Sequence, residues 1–159
     1  MENPREKTPA RWEGMPSWLL GQTAGHAHRL VGEGFSAVGA RGYHYRLLAT
    51  LEDSGPASQA TLGRCSGIHL SDMVATVNDL ADGGLVERAP DPADRRRNIV
   101  SLTPAGRRQL RRLDRRLAEC QDELLAPLSP EERQQFTDLL SKLLVHHNRG
   151  TDAPEERWS

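Results

Sequence analysis

The feature that most limits how this 159-residue chain can fold is one continuous run, SQATLGRCSGIHLSDMVATVNDLADGGLVER, from Ser58 to Arg88. Ser58 is placed to cap a short helix reaching Arg64 or Cys65, because its side-chain oxygen can accept from an unpaired N–H of the first turn. Ser66-Gly67 then supplies a tight turn in which glycine takes a positive φ at little cost. A second helix is expected from about Leu70 to Asp82. Its Met73, Val77 and Leu80 recur at three- and four-residue steps and face inward, and Gly83-Gly84 ends it. Two short helices around a Gly-containing turn make a helix-turn-helix pattern. Any helical hairpin could share that much.

The next residues narrow it. Leu85-Val86-Glu87-Arg88 and Ile99-Val100-Ser101-Leu102 are short β-like runs, separated by APDPADRRRN with its turn-forming Pro and Asp. A hairpin directly after a helix-turn-helix is a wing. Its tip carries Arg95, Arg96 and Arg97, and three adjacent guanidiniums repel one another, so without an anionic partner they add little to folding. A hairpin with a merely polar tip is the plainer alternative. The formal net charge of −1 looks unsuited to nucleic acid, yet between Arg88 and Arg116 ten arginines face three acids. Separation of charge matters more than the total, since the field acts over roughly 8 to 10 Å. A solvated helix with outward arginines accounts equally well for Arg107 to Arg116.

The flanks read as helical. From Pro16 to Phe35, apolar residues recur at helical steps, and another helix begins at about Tyr43 and stops at Ser54-Gly55-Pro56. Thr103-Pro104 supplies an N-cap followed by Pro at the first helical position. Leu110, Leu113, Leu117, Cys120 and Leu124 then hold one seam over two heptads, which suits packing against another long helix or within the chain itself. Ser129-Pro130-Glu131-Glu132 is a capping box opening a last helix. With aromatics at only 4%, the core must come mostly from Leu, Val and Ala. The fold class expected is mainly α with a small β-hairpin wing.

Several classes fall away. No apolar run approaches the roughly 20 residues that span a bilayer, and the polar N-terminus lacks the apolar stretch of a secretion signal. Cys65 and Cys120 form neither a disulfide scaffold nor a metal-type spacing, which suits a reducing cytoplasm. Among the histidines, His26 and His28 diverge on a helix, Cys65 and His69 flank a turn, and His146-His147 are adjacent. None has zinc-closing geometry, so no metal or other cofactor is expected. No phosphate-cradling Gly loop or nucleophile–base spacing suggests an enzyme.

Across residues 16–147 the chain resembles the multiple-antibiotic-resistance regulator (MarR) family of winged-helix transcription factors. The resemblance rests on Asp94-Arg95-Arg96-Arg97-Asn98-Ile99-Val100-Ser101-Leu102-Thr103-Pro104-Ala105-Gly106, which matches that family's wing signature of Asp-x-Arg and a strand ending in Leu-Thr-x-x-Gly. Asp79-Leu80-Ala81-Asp82-Gly83-Gly84-Leu85-Val86 resembles the exit of its recognition helix. The resemblance implies a winged helix-turn-helix over about 43–102, with dimerisation helices over 16–36 and 103–147. Residues 1–15 and 148–159 are expected to be a flexible arm and tail. It further implies a cytoplasmic homodimer on a pseudo-palindromic double-stranded DNA operator. Such a protein is most often a repressor, and a small anionic or phenolic ligand commonly releases it.

In such a dimer the helix from Leu70 would lie in the major groove. Ser71, Asp72, Thr76 and Asn78 are then its polar base-reading candidates, with Ser58, Arg64 and His69 beside them. Family members usually carry Arg or Lys on this helix, and this chain does not, which shifts the burden of affinity to Arg64 and to Arg95, Arg96 and Arg97. The wing would enter the minor groove or grip the flanking backbone. Asp94 would orient an arginine or simply shape the turn. Candidate ligand-pocket residues are Trp18, His26, His44 and Tyr45, though each could equally fill a structural junction. The alternative function is a winged-helix protein-interaction module without specific DNA binding.

Overall fold

A computed structural model describes residues 10–149 of the chain. Most of the expected arm (1–9) and tail (150–159) lies outside the described residues. Residues 10–15 form hydrogen-bonded turns, with Glu13 N–H donating to Ala10 O at 2.9 Å and Met15 N–H to Trp12 O at 3.0 Å. The fold is mostly helical with a small antiparallel sheet: α1 (Pro16–Ser36), α2 (Gly42–Ser54), β1 (Ala57–Ser58), α3 (Gln59–Ser66), α4 (Leu70–Asp82), β2 (Val86–Pro90), β3 (Asn98–Leu102), α5 (Pro104–Leu124) and α6 (Pro130–Asn148). Two compact units divide between Gln121 and Asp122.

The first unit is built on one core. α2 contributes Leu47, Leu48 and Leu51, α3 contributes Leu62, and α4 adds Met73, Val77 and Leu80. Val86 and Val100 close it from the sheet, and Leu110 and Leu113 from α5. Apart from Phe35 of α1, aliphatic side chains and Met73 fill this space, as the scarcity of aromatics requires.

Local chemistry sets the element ends. Ser58 Oγ accepts from Thr61 N–H at 3.3 Å and so caps α3. Gly67 ends α3 at φ 64°, in the left-handed region that other residues rarely adopt. A Cβ there would also meet Arg46 Nη2 at 2.9 Å. That guanidinium donates to Ser66 O at 2.5 Å and holds the turn against α2.

The sheet has one strand more than the expected hairpin. β1 pairs with β3 through Ala57↔Val100 and Ser58↔Ile99, giving the order β1-β3-β2. β2 is an edge strand, the position where Pro90 is tolerated for lack of a ladder N–H.

The seam on α5 takes the within-chain role among the two that its spacing allows. Leu110, Leu113 and Cys120 are buried within their own unit, and Cys120 Sγ donates to Leu30 O of α1 at 3.4 Å. They are buried inside the chain's own first unit, because residues 104–121 form a wall of its core. Open apolar side chains lie elsewhere: Leu19 and Leu20 on α1, and in the second unit Leu139, Leu143, Leu144 and Val145 on α6. In that unit Ser129 caps α6 with the full box, its Oγ accepting from Glu132 N–H at 3.2 Å.

Candidate nucleic-acid interface

α4 is two-faced. Met73, Thr76, Val77 and Leu80 point into the core, while Leu70, Ser71, Val74, Ala75, Asn78 and Asp79 are exposed. Thr76 therefore must be corrected as a base-reading candidate: it is 5% exposed, and its hydroxyl donates to Asp72 O at 2.7 Å. Its sequence position lies three residues after Met73, which puts it on the core stripe. Ser71 is exposed in the first turn, Asp72 is half-buried beside it, and His69 is the exposed N-cap residue. Asn78 is tied to the sheet, its Oδ1 accepting from Arg88 of β2, so its amide protons are what it can offer outward.

The wing tip is held by two aspartates acting as turn formers. Asp91 Oδ1 accepts from Ala93 N–H at 2.9 Å, and Asp91 N–H donates to Arg97 O at 2.8 Å. Asp94 Oδ1 accepts from both Arg96 N–H (3.1 Å) and Arg96 Nε (3.2 Å), while its Oδ2 lies 3.7 Å from Arg97 Nε. The Arg96 side-chain and backbone bonds, with Arg97 nearby, hold the Asp94 carboxyl below the usual carboxylate range. The side chains of Arg96 and Arg97 remain 91% and 70% exposed. Asp94 thus aims two cations without covering them.

These parts meet in a polar groove of about 530 Å³ between the start of α3 and the wing. Ser58, Thr61 and Arg64 line one side, and Arg96, Arg97 and Asn98 the other. Arg64 Nη2 donates to Thr61 Oγ1 at 3.1 Å, which anchors that guanidinium at the rim. Arg95 is exposed at the tip beside them. Gln59, Thr61 and Asn98 belong to this groove but carry no signal of their own in the sequence. They follow from β1 pairing with β3, a long-range contact that draws the α3 N-terminus to the hairpin. Val74 and Ala75 are legible in principle as positions off the Met73, Val77 and Leu80 stripe, whereas Leu70 continues that spacing by sequence and is exposed because it is the first residue of the helix.

The four candidate pocket residues are not brought together within the chain. His44 lines a cavity of about 480 Å³ between the α1–α2 connection and α4, with Arg41, Asp79 and Asp82. Its Nδ1 accepts from Arg41 N–H at 3.3 Å, so Nε2 carries the proton facing Asp79 Oδ2 at 3.4 Å. Tyr45 turns the other way: it stacks on Phe35 with ring centroids 5.4 Å apart and donates to Asp114 Oδ1 at 3.0 Å. His26 pairs with Arg29 at 2.6 Å along α1, and Trp18 is half-buried two turns earlier. Residues one apart on α2 point to different sides, which explains the split between His44 and Tyr45. Among the described residues no group of three or more His, Cys, Asp or Glu could hold a metal ion, and no helix is long and apolar enough to cross a membrane.

Comparison with known proteins agrees with this geometry. The MarR family model matches residues 39–97. The HTH-type transcriptional repressor NicR of Pseudomonas putida is 32% identical over 97 residues, covering 61% of this chain and 61% of the relative. The chain spans about 60% of the length of the first curated relatives it matches. A probable transcriptional regulator from Pseudomonas aeruginosa shares 32% identity and superposes with a TM-score of 0.71, covering 84% of this chain and 99% of that one. A mutant of E. coli MarR complexed with operator DNA has the same fold at 21% identity, with a TM-score of 0.70 over 86% of this chain and 99% of that one. These relatives are regulators of transcription by name, not enzymes. The wing signature, the arginine-lined groove and the match to a nearly complete solved regulator together show that the chain belongs to the MarR family.

Proposed function

We propose that this protein is a cytoplasmic, homodimeric, sequence-specific DNA-binding regulator, acting as a repressor at a pseudo-palindromic operator. The observation that carries the reading is the polar groove lined by Arg64 of α3 and by Arg96 and Arg97 of the wing. Cations on both rims of a polar groove suit a phosphate backbone, whose neutralisation supplies most of the sequence-independent affinity. α4 then enters the major groove, and the wing meets the adjacent minor groove or backbone. NicR, a named repressor, supports the sign of regulation, and the operator complex of the E. coli relative supports the ligand class.

Two copies are required for a symmetric site. We assign dimerisation to the helices over 16–36 and 103–147, whose open apolar residues are Leu19 and Leu20 in one unit and Leu139, Leu143 and Leu144 in the other. Half-sites then lie roughly 34 to 36 Å apart, one duplex turn. Release by a small anionic or phenolic effector is assigned to the cavity at His44, where Arg41 offers a cation.

Selection of bound sequences from random duplexes by the purified protein tests this reading. A two-fold symmetric consensus is expected. Failure to enrich any sequence, with no binding in dilute buffer, contradicts it and favours the protein-interaction module.

A further inference from the structure

α4 carries no Arg or Lys anywhere along LSDMVATVNDLAD. The bidentate arginine–guanine pair, the commonest specific base contact, is therefore unavailable on this helix. Of its polar groups, Asn78 Oδ1 is taken by Arg88, Asp79 faces His44 and Asp72 is half-buried, which leaves the exposed Ser71 and the Asn78 amide protons. Beside these the helix presents an apolar patch. Leu70 is 66% exposed at its first residue and Val74 is 45% exposed one turn later, with Ala75 exposed beside Val74.

Exposed aliphatics in a row on one short helix cost solubility and contribute nothing to the core. The surroundings say what covers them. The patch lies on the helix that follows α3 and is tied to β2 of the wing by the Arg88–Asn78 hydrogen bond, so a partner that engages it together with the arginine-rimmed groove must combine strong negative charge with an apolar floor. A protein surface seldom offers both. The major groove of DNA does, because each thymine projects a 5-methyl group between two phosphate rails.

We propose that Leu70 and Val74, with Ala75, select the operator by packing on thymine methyl groups, so that recognition by α4 is mainly apolar and directed to A·T pairs. This specificity rests on the DNA-binding reading above, and the test separates the two. The probe is the duplex selected from the random pool, compared with the same duplex carrying deoxyuridine in place of thymine in each half-site, which removes only the methyl. Affinity is expected to drop roughly 4-fold for each methyl in contact, the weight of one buried methyl group. In Val74→Ala, a solvent-facing change that a helix accepts readily, the thymine–uracil difference at the position Val74 touches should shrink toward one. Leu70→Ala should act likewise at its own position. Equal binding of the thymine and uracil duplexes by the unaltered protein, with strong salt-dependent affinity, overturns the proposal and leaves the regulator reading standing. Loss of all DNA binding removes both.

Discussion

Gly106 of α5 lies directly against the backbone carbonyl of Leu85, so close that a Cβ on Gly106 would overlap that oxygen. The contact explains the Leu-Thr-x-x-Gly pattern in physical terms. Leu85 O accepts from Thr103 N–H at 3.1 Å, the Thr103 hydroxyl donates to Gly84 O at 2.7 Å, and Gly106 N–H donates back to that hydroxyl at 3.0 Å. The threonine clamps the exit of α4 to the start of α5, and the glycine lets the helix come close enough for the clamp to close.

Gly106→Ala should therefore destabilise the protein even though alanine is the better helix former. Overpacking against a backbone atom that cannot rotate away costs about 1 to 3 kcal/mol. In a chain of this size that lowers the melting temperature by roughly 2 to 4 °C per kcal/mol. Thermal unfolding followed by circular dichroism measures it, and a midpoint equal to that of the unaltered protein would refute the steric account.

Asp94 makes the wing pH-dependent at its acidic end. Its carboxyl is held down chiefly by the Arg96 side chain, so its stabilising contribution is complete above the ordinary carboxylate value. That contribution is lost only as pH falls through the lowered folded value. Carbon-detected NMR titration of Asp94 should give a midpoint below the ordinary one, and Arg96→Ala should move it back up. A midpoint at or above the ordinary value would mean the arginine does not engage the carboxylate in solution.

Tyr45 is the basic counterpart. Burial, then the hydrogen bond and charge of Asp114, push its phenol above the ordinary value of 10.0. The neutral form is the one favoured, so its contribution is intact below that value and disappears as pH rises through the raised folded one. A phenolate absorbance titration should show one late-ionising tyrosine, abolished by Tyr45→Phe. Asp114→Asn should lower its midpoint only in part, since burial is the larger cause. If Asp114→Asn restored the ordinary value completely, burial would have been assigned the wrong weight.

Signals carried by neighbours along the chain are the legible ones. The caps at Ser58, Thr103 and Ser129, the inward Met73, Val77 and Leu80, and the arginine-tipped hairpin all depend on residues within a few positions of one another. What stays hidden depends on distant pairing. A strand of two residues, Ala57 and Ser58, has no periodicity to detect, yet it draws Gln59 and Thr61 to Arg96 and Asn98. The seam on α5 has a readable spacing but not a readable destination, because the same repeat serves a partner helix or the chain's own core. Thr76 advertises a hydroxyl, yet its position on the helix decides its place. His44 and Tyr45 share hydrogen-bonding chemistry, although the helix sends them to different sides.

The claim on which the functional account turns is that the wing arginines hold phosphate. Replacing Arg95 and Arg96 together with Ala leaves the core untouched, since both are exposed. Titrating the selected operator against salt with this variant and the unaltered protein is the direct measurement. The account predicts weaker binding and a shallower dependence of log affinity on log salt, by about 0.9 for each phosphate that the variant no longer neutralises. The same affinity with the same slope would contradict it.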